Sequence, residues 1–502
     1  MNIRELIAKQ NKICPQKVAI SFKGKAITFS EIRDAAFKLA NYFLKIGVIS
    51  NDKIAIFLPN TPKSIFAFLG IFSAGATVVP LDFMLTENEI INFINHSQSK
   101  ILIAHPKLDL ANLQNSCPSL NKIIVCSEDN ENSSFFDSIL KEEDSNQPNL
   151  EHKENDLAAL FYTSGSTGHP KGVSLEYRHL DNPSNTINHF LGVFGDDVFL
   201  CGGVPFSHIG GLGYILLMVH FASTLVLMER FQPLEFLKNI ERHKVTIFCI
   251  VPAMYIAILS LKGYGEFDLS SLRYAVVFGA PSSPILLKRF HKLCPQAIAL
   301  NGWGMTETSA PNSFSPPDES KISSIGYLNF NIEAKIVDQA GNKLNSPSQG
   351  ELWVKGEAII REYYKEPGLT KEVLTEDGWL KTGDIVRIDS DLLYYIVGRK
   401  KDMIKVAGEI VFSAEVEEKI NKYSKVAEVA VIGIADDLRG EVPKAFIVSK
   451  EKEPFSEQEL KDFLKEHLAH FKIPHYFEFV ENLPKNRTGK IDKQKLKIGD
   501  LL

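Results

Sequence analysis

Cysteine is scarce and scattered in this chain. Its six residues (Cys14, Cys117, Cys126, Cys201, Cys249 and Cys294) form no C-x-x-C pair, and three sit inside apolar, strand-like runs. That spacing argues against a disulfide framework, and the thiols read as reduced and mostly buried, as in a reducing cytosol. No His/Cys cluster has zinc spacing either. Excess positive charge is also lacking: 56 Lys and Arg face 61 Asp and Glu, for a net charge of −5. Nothing there supports a nucleic-acid partner or a polybasic membrane patch. Long uninterrupted apolar runs are missing as well. Residues 65–81 and 212–228 are broken by Gly, Ser, Thr, His or Pro, fall short of a membrane span, and read as core. Residues 1–12 alternate charged and apolar groups, unlike a signal peptide. The expected protein is cytoplasmic, with no transmembrane segment and with peripheral membrane contact left open.

What is present is length. A chain of 502 residues that is 44% hydrophobic can bury large cores and hold more than one domain. Residues 30–46 place Ile32, Ala35, Leu39, Phe43 and Ile46 on one helical stripe, with Gly47 as the stop. Strands at 53–58, 77–81, 101–104 and 123–126 alternate with a buried helix at 64–74 and a helix opened by the capping box Thr86-Glu87-Asn88-Glu89. That rhythm predicts a parallel, doubly wound sheet. Residues 127–156 are acidic and Asn-rich, and read as a surface excursion around a short helix at 135–140.

Strands at 157–162, 245–250, 273–278 and 297–300 continue the pattern, and ligands of such sheets bind beyond the carboxyl ends of strands. From Lys321 the composition shifts to short strand-and-turn units, at 350–356, 379–389 and 392–397, which suggest a small β subdomain. Past Gly398 a compact α+β unit follows. Its clearest helix starts at Ser456, with a capping box to Glu459 and Phe455 stapled to Leu460. No internal repeat and no carrier-protein segment is visible. The expected fold class is α/β: a large N-terminal domain of doubly wound sheets plus a small β subdomain (residues 1–398), with a small mobile C-terminal α+β domain (399–502).

One stretch stands out, Thr163-Ser164-Gly165-Ser166-Thr167-Gly168-His169-Pro170-Lys171-Gly172, fed by the strand at 157–162. Its three glycines, four hydroxyls and one lysine come with no carboxylate. Glycine lets the backbone turn tightly and expose successive N–H groups, and the hydroxyls and lysine add donors. A flexible Gly/Ser loop is the plain alternative. Pro170 beside the lysine and the strand ahead of the loop favour a cradle for a polyanion such as a nucleotide triphosphate. The stretch matches neither the Walker pattern nor the G-x-S-x-G elbow. Three more stretches follow: Asn301-Gly302-Trp303-Gly304-Met305-Thr306-Glu307, Trp379-Leu380-Lys381-Thr382-Gly383-Asp384, and Pro484-Lys485-Asn486-Arg487-Thr488-Gly489-Lys490-Ile491-Asp492. Taken singly, each has an ordinary reading as a helix cap, a turn and a solvated lysine.

In this order the four resemble the signatures of the acyl-adenylate-forming superfamily, which includes acyl-CoA synthetases, firefly luciferase and the adenylation domains of peptide synthetases. The resemblance covers nearly the whole chain. It implies ATP, Mg²⁺ and CoA, with residues 163–168 and Lys171 on the phosphates. Thr306 would contact the α-phosphate, and Glu307 with Thr163 would place Mg²⁺, which takes one or two protein oxygens plus phosphate and water. Gly279-Ala280-Pro281 looks like the adenine-lining turn, and Trp303, within the 301–305 nucleotide segment, would cover an adenine face. Asp384 would accept the ribose hydroxyls, with Arg399 adding a ribose or phosphate contact. Pro205-Phe206-Ser207-His208 resembles the segment whose histidine borders the acyl site, where Phe278 and Gly304 would also lie. Lys490 matches the catalytic lysine and Lys401 the hinge of a rotating lid, while Ala407-Gly408 would line the thiol tunnel. Lys493 stands where many relatives carry arginine, a departure expected to affect at most local packing.

The implied reaction is attack of a carboxylate on the α-phosphorus of MgATP, loss of pyrophosphate, then displacement of AMP by a thiol. In acetate-specific relatives a tryptophan fills the position of Gly304, so acids larger than acetate are expected. Residues 205–214 hold no acid to grip an ammonium group, which favours an uncharged tail. The expected acid is a medium- or long-chain fatty acid. An aryl acid, or an adenylating enzyme serving a carrier protein or amine, is the alternative; a luciferase-like oxidation and a non-catalytic acyl or nucleotide sensor also stay open.

Overall fold

The computed structural model describes residues 2–127, 134–151, 153–163, 171–279, 284–407, 409–436, 438–450, 455–485 and 490–498. The chain forms two compact units. One comprises Met1–Ile322, Leu328–Glu333 and Lys355–Leu380; the other comprises Ser323–Tyr327, Ala334–Val354 and Lys381–Leu502. The first is a large mixed α/β unit and the second a smaller α+β unit, as expected. The expected division after residue 398 falls inside the second unit.

Two sheets build the first unit. In one, Lys122–Val125, Ile101–Ala104, Lys53–Phe57, Thr77–Pro80 and Leu157–Thr163 lie side by side and parallel, and Lys171–Glu176 closes the edge antiparallel. In the other, Ile298–Trp303, Tyr274–Val277, Ile247–Ile250, Val198–Gly202, Thr224–Met228 and Val18–Phe22 run parallel in that order. Strands buried on both faces need near-continuous apolar runs, which is why the strand at 101–104 reads Ile-Leu-Ile-Ala and all four residues are buried.

Helix Phe29–Lys45 begins where Thr28 and Glu31 cap each other, the Thr28 N–H donating to the Glu31 carboxylate at 2.7 Å. It packs on helix Pro62–Ser73, and Gly70 sets their closeness, since a Cβ there would lie 2.6 Å from the Leu39 Cβ. The capping box at Thr86–Glu89 is present. Residues 134–151 are more than a surface excursion. Helix Phe135–Glu142 buries Phe136 and Ile139, and the Lys38 ammonium and Asn41 amide, both from helix Phe29–Lys45, donate to the Leu140 and Asp144 carbonyls. Docking is legible only in three dimensions, because two apolar residues of a short helix suffice.

The second unit holds most of a four-stranded sheet, in the order Ile332–Val337, Ser348–Gly356, Leu380–Ile388, Tyr394–Arg399. Its five-stranded sheet joins Glu409–Phe412, Met403–Val406, Gly440–Ser449 and Val426–Asp436, with Tyr476–Phe479 parallel to Gly440–Ser449. Helices Ser413–Ile420 and Glu457–Lys465 bury Val416, Ile420, Leu460 and Leu464 in its core, together with Phe455. The capping box at Ser456 is only half formed. The Ser456 hydroxyl accepts from the Glu459 N–H at 3.1 Å, but the Glu459 carboxylate accepts from the Tyr423 hydroxyl and the Lys425 ammonium instead.

All six cysteines lie outside any disulfide, four of them buried. Burial pushes the Cys201 and Cys249 thiols up to about 12, so they stay protonated and unreactive. Among the described residues no helix is long and apolar enough to cross a membrane.

Candidate active site

The strand Leu157–Thr163 and its partner Lys171–Glu176 form a hairpin with Thr163 opposite Lys171. Ser164, Gly165, Ser166, Thr167 and Gly168 lie outside the described residues. The Lys171 ammonium sits 5.3 Å from the centroid of the Tyr363 ring and pairs with no carboxylate among the described residues. A cation over a ring face keeps its charge uncancelled.

Tyr363 arrives on a strap from a later part of the chain. The Tyr364 N–H donates to the Gly172 carbonyl at 2.8 Å, and Tyr363 forms an isolated bridge to Val173. The strap also holds the turn that carries Thr306 and Glu307. That turn, Thr306–Thr308, follows the end of strand Ile298–Trp303 by way of Gly304 and Met305. The Ile360 N–H donates to the Glu307 carbonyl at 3.0 Å, and the Ser309 hydroxyl to the Ala358 carbonyl at 2.9 Å.

Thr306 and Glu307 are both buried. The turn's own cap is Thr308, whose hydroxyl accepts from the Met305 N–H at 3.1 Å. That leaves the Glu307 side chain to other work: its Oε1 accepts from the Tyr363 hydroxyl at 2.8 Å. Burial and the neighbouring carboxylate push the Tyr363 phenol far above its usual range, so it remains a donor. The other Glu307 oxygen has no protein partner among the described residues.

Among the described residues no three or more His, Cys, Asp or Glu side chains gather as a metal cage. Mg²⁺ bound with phosphates needs none, since one or two protein oxygens suffice. A buried carboxylate with one oxygen held and one open fits that role, with Thr163 as the hydroxyl candidate.

Asn301 is fixed by paired bonds with Ser315, at 2.9 and 2.8 Å. Trp303 is only 6% exposed, so most of its surface packs in the protein. Gly279 follows the strand at Tyr274–Val277 with φ +89, a conformation glycine tolerates, whereas Ala280 and Pro281 lie outside the described residues. Phe278 lies against Gly302, where a Cβ would come 2.7 Å from its ring and 3.0 Å from that of Phe314. A Cβ on Gly304 would come within 2.7 Å of both Ala310 Cβ and Asn312 Oδ1. The space beside Gly304 is thus partly filled by its neighbours, which the sequence does not reveal.

His208 caps helix Ile209–Phe221, its Nδ1 accepting from the Gly210 N–H at 3.1 Å. Asn60 grips the preceding segment, donating to the Val204 carbonyl and accepting from the Phe206 N–H. The same segment meets an acid after all. Residues 205–214 hold none, yet the fold brings Asp82 to it, with the Ser207 hydroxyl donating to Asp82 Oδ2 at 3.4 Å. No local pattern marks Asp82, since the contact spans two strands' loops.

In the second unit Asp384 and Arg399 are register partners on adjacent strands, with Arg399 Nε 2.6 Å from Asp384 Oδ1. Asp384 is 2% exposed, and its N–H donates to the Thr382 hydroxyl at 3.0 Å. Lys490 shares this neighbourhood. Burial foremost, then Arg399 and Lys401, lower its ammonium to about 8, against the raising pull of Asp384. The signature around it is tied to itself: Lys485 bridges Ile491, and the Asp492 N–H donates to the Pro484 carbonyl at 2.8 Å.

Lys493 does more than pack, since its ammonium meets Glu417 at 2.7 Å and the Ser413 hydroxyl at 2.8 Å. Lys401 lies exposed in the turn Lys400–Asp402. Ala407 has φ +49, its N–H donating to the Arg439 carbonyl at 2.7 Å, and Gly408 lies outside the described residues. Each unit therefore carries part of the expected constellation: Thr163, Lys171, Gly279, Thr306, Glu307 and His208 in the first, Asp384, Arg399, Lys401, Ala407 and Lys490 in the second.

Two family models match the chain, AMP-binding enzyme over residues 7–364 and AMP-binding enzyme C-terminal domain over residues 415–490. The chain is 31% identical to a long-chain-fatty-acid–CoA ligase of Bacillus subtilis, over 96% of this chain and 91% of that one. It is 32% identical to 4-coumarate–CoA ligase 3 of Arabidopsis thaliana, over 94% and 86%. The crystal structure of an anthranilate–CoA ligase in complex with anthranoyl-AMP superposes with TM-score 0.92 at 25% identity, covering 100% of this chain and 97% of that one.

Proposed function

Since the chain belongs to the AMP-binding enzymes and is an AMP-forming acid–thiol ligase that works through an acyl-adenylate, we propose that its substrate is an aryl carboxylic acid and its acceptor the thiol of CoA. The observation that carries the acid is the half-buried ring of Phe278 against Gly302, an aromatic group at the end of the strand that leads to Thr306. Relatives that act by name on 4-coumarate and anthranilate support the same reading. The expected medium- or long-chain fatty acid has a relative of its own in the Bacillus ligase and is the second reading.

In the first step a carboxylate oxygen attacks the α-phosphorus of ATP, and pyrophosphate leaves. The oxide of a free carboxylate cannot leave at neutral pH, whereas AMP can, so this exchange is what the site must promote. Positioning and charge neutralisation dominate such chemistry. Lys171 and Lys490 hold phosphate oxygens, Thr306 orients the α-phosphate, and Asp384 and Arg399 fix the ribose. When bound, Mg²⁺ neutralises phosphate charge, with Glu307 and Thr163 as its protein ligands. In the second step the thiol attacks the acyl carbonyl and AMP departs. Lys490 serves only the first step, and rotation about Lys401 of a lid that starts at residue 399 clears it from the thiol's path. Ala407 and Gly408 then border the pantetheine.

The test is ATP–pyrophosphate exchange with benzoate, a hydroxycinnamate, acetate, octanoate and palmitate, followed by loss of free thiol when CoA is added. The expected order puts an aryl acid first, with loss of the CoA thiol only when both ATP and that acid are present. Alkyl acids outrunning both aryl acids would overturn the acid assignment.

A further inference from the structure

The Tyr363 side chain touches two groups of opposite charge. Its hydroxyl donates to Glu307 at 2.8 Å, and its ring carries the Lys171 ammonium at 5.3 Å from the centroid. The residue is 4% exposed, and its backbone is tied to the hairpin at Val173 and, through its neighbour, at Gly172. A further bond, from the Tyr363 N–H to the Thr370 hydroxyl at 3.0 Å, holds it from the far side. It is therefore a rigid element, not a side chain that drifted into place.

A lysine and a carboxylate in one partly buried site normally find each other, because their attraction grows as water is removed. Here they do not pair: Lys171 and Glu307 each contact the tyrosine, and no ion pair joins them among the described residues. Pairing would cancel the charge that a phosphate requires and use the carboxylate oxygen that a cation requires. A neutral aromatic residue with one hydroxyl satisfies both groups and discharges neither.

We propose that Tyr363 is a positioning residue which keeps Lys171 and Glu307 apart and aimed, the ring holding the lysine for phosphate and the hydroxyl holding the carboxylate for the cation that accompanies it. The inference rests on the nucleotide reading given above. It separates the two halves of the side chain: removing the hydroxyl alone disturbs the carboxylate, whereas removing the ring also frees the lysine to reach it.

Calorimetric titration of ATP into the full chain, with EDTA and with Mg²⁺, reads this directly for Tyr363→Phe and Tyr363→Leu. Tyr363→Phe is expected to bind ATP within about twofold of wild type in EDTA, and about tenfold more weakly with Mg²⁺. Tyr363→Leu is expected to lose about tenfold in EDTA and clearly more than tenfold with Mg²⁺, where the lost hydroxyl adds to the lost ring. In pyrophosphate exchange Tyr363→Phe should raise the KM for ATP and lower kcat together. Melting of each variant is followed in parallel. Should Tyr363→Leu fail to fold, Tyr363→Phe, which keeps the ring and nearly the volume, carries the test alone. Wild-type Mg²⁺ dependence in Tyr363→Phe, or losses that track melting temperature alike in both conditions, would overturn the proposal. A wild-type chain that binds no ATP would overturn the nucleotide reading and this inference together, whereas wild-type binding beside indifferent variants overturns this inference alone.

Discussion

Thr163 and Lys171 stand opposite each other across an antiparallel pair of strands. Directly paired residues of a ladder present their side chains on one face, so the hydroxyl and the ammonium are delivered together by strand pairing. The lysine has no ion-pair partner among the described residues whose loss would unsettle the fold. Lys171→Met is therefore expected to raise the KM for ATP about tenfold in pyrophosphate exchange, the worth of one charge-assisted contact. Its melting temperature should stay within a few degrees of wild type, about the shift of a surface change.

Lys490 carries a perturbed ammonium. Its ammonium titrates near 8, below the usual 10.5, because burial and two cations oppose the charge. Adenylation needs the protonated form, so kcat/KM for ATP should fall as pH rises through about 8. Arginine stays charged, and Lys490→Arg should lack that limb whatever its activity. Lys490→Ala should cost on the order of 10²–10³ in adenylation while sparing thioester formation from supplied acyl-AMP. Near-normal exchange in that variant would remove Lys490 from the reaction.

The same shift has a stability side. A lysine whose folded value lies below its unfolded one destabilises the fold while both states are protonated, below about pH 8. The penalty shrinks between 8 and 10.5 as the folded form releases its proton, and is gone above. Lys490→Met should thus melt higher than wild type at pH 7, with the advantage fading at alkaline pH. Equal melting at both pH values would contradict the burial argument.

Asp384 raises the Lys490 value, opposing the cations. Removing that charge in Asp384→Asn should move the alkaline limb to lower pH as well as weakening ATP binding. Two effects from one substitution distinguish it from a simple ribose contact. An unmoved limb would mean that the two residues are not electrically coupled.

Lys401→Pro addresses the lid. Proline fixes φ, so a residue that must change its backbone angles between two poses becomes locked. Adenylation should persist while thioester formation stops. If both half-reactions fall by one factor, Lys401 is not the hinge.

Much of the fold was legible because periodicity and caps are local. The helix at Phe29–Lys45, the strands at Lys53–Phe57 and Ile101–Ala104, and the box at Thr86–Glu89 all follow from residues within one turn or strand of each other. Contacts between distant segments left no such trace. Ser456 looks like one half of a capping box, but Glu459 answers to Tyr423 and Lys425, more than thirty residues earlier. Asp82 and Ser207 meet across 125 residues of sequence, and Glu307 and Tyr363 across 56. Each is an ordinary residue in an unremarkable stretch, and only the packed chain gives it a task. Lys493 was visible as a departure from arginine, yet its Glu417 partner was not.

The strap at Tyr363 also orders events in time. The hairpin it braces ends at Glu176, so a growing chain displays those strands long before residue 363 is made. Pairing between segments so far apart is slow to find, and domains emerge from synthesis amino end first. A nascent chain released short of residue 363 would have its first sheet but an unbraced Lys171 and no hydroxyl for Glu307. Competence for nucleotide is therefore acquired late, as a threshold in chain length, and truncated products should fold in part without competing for ATP.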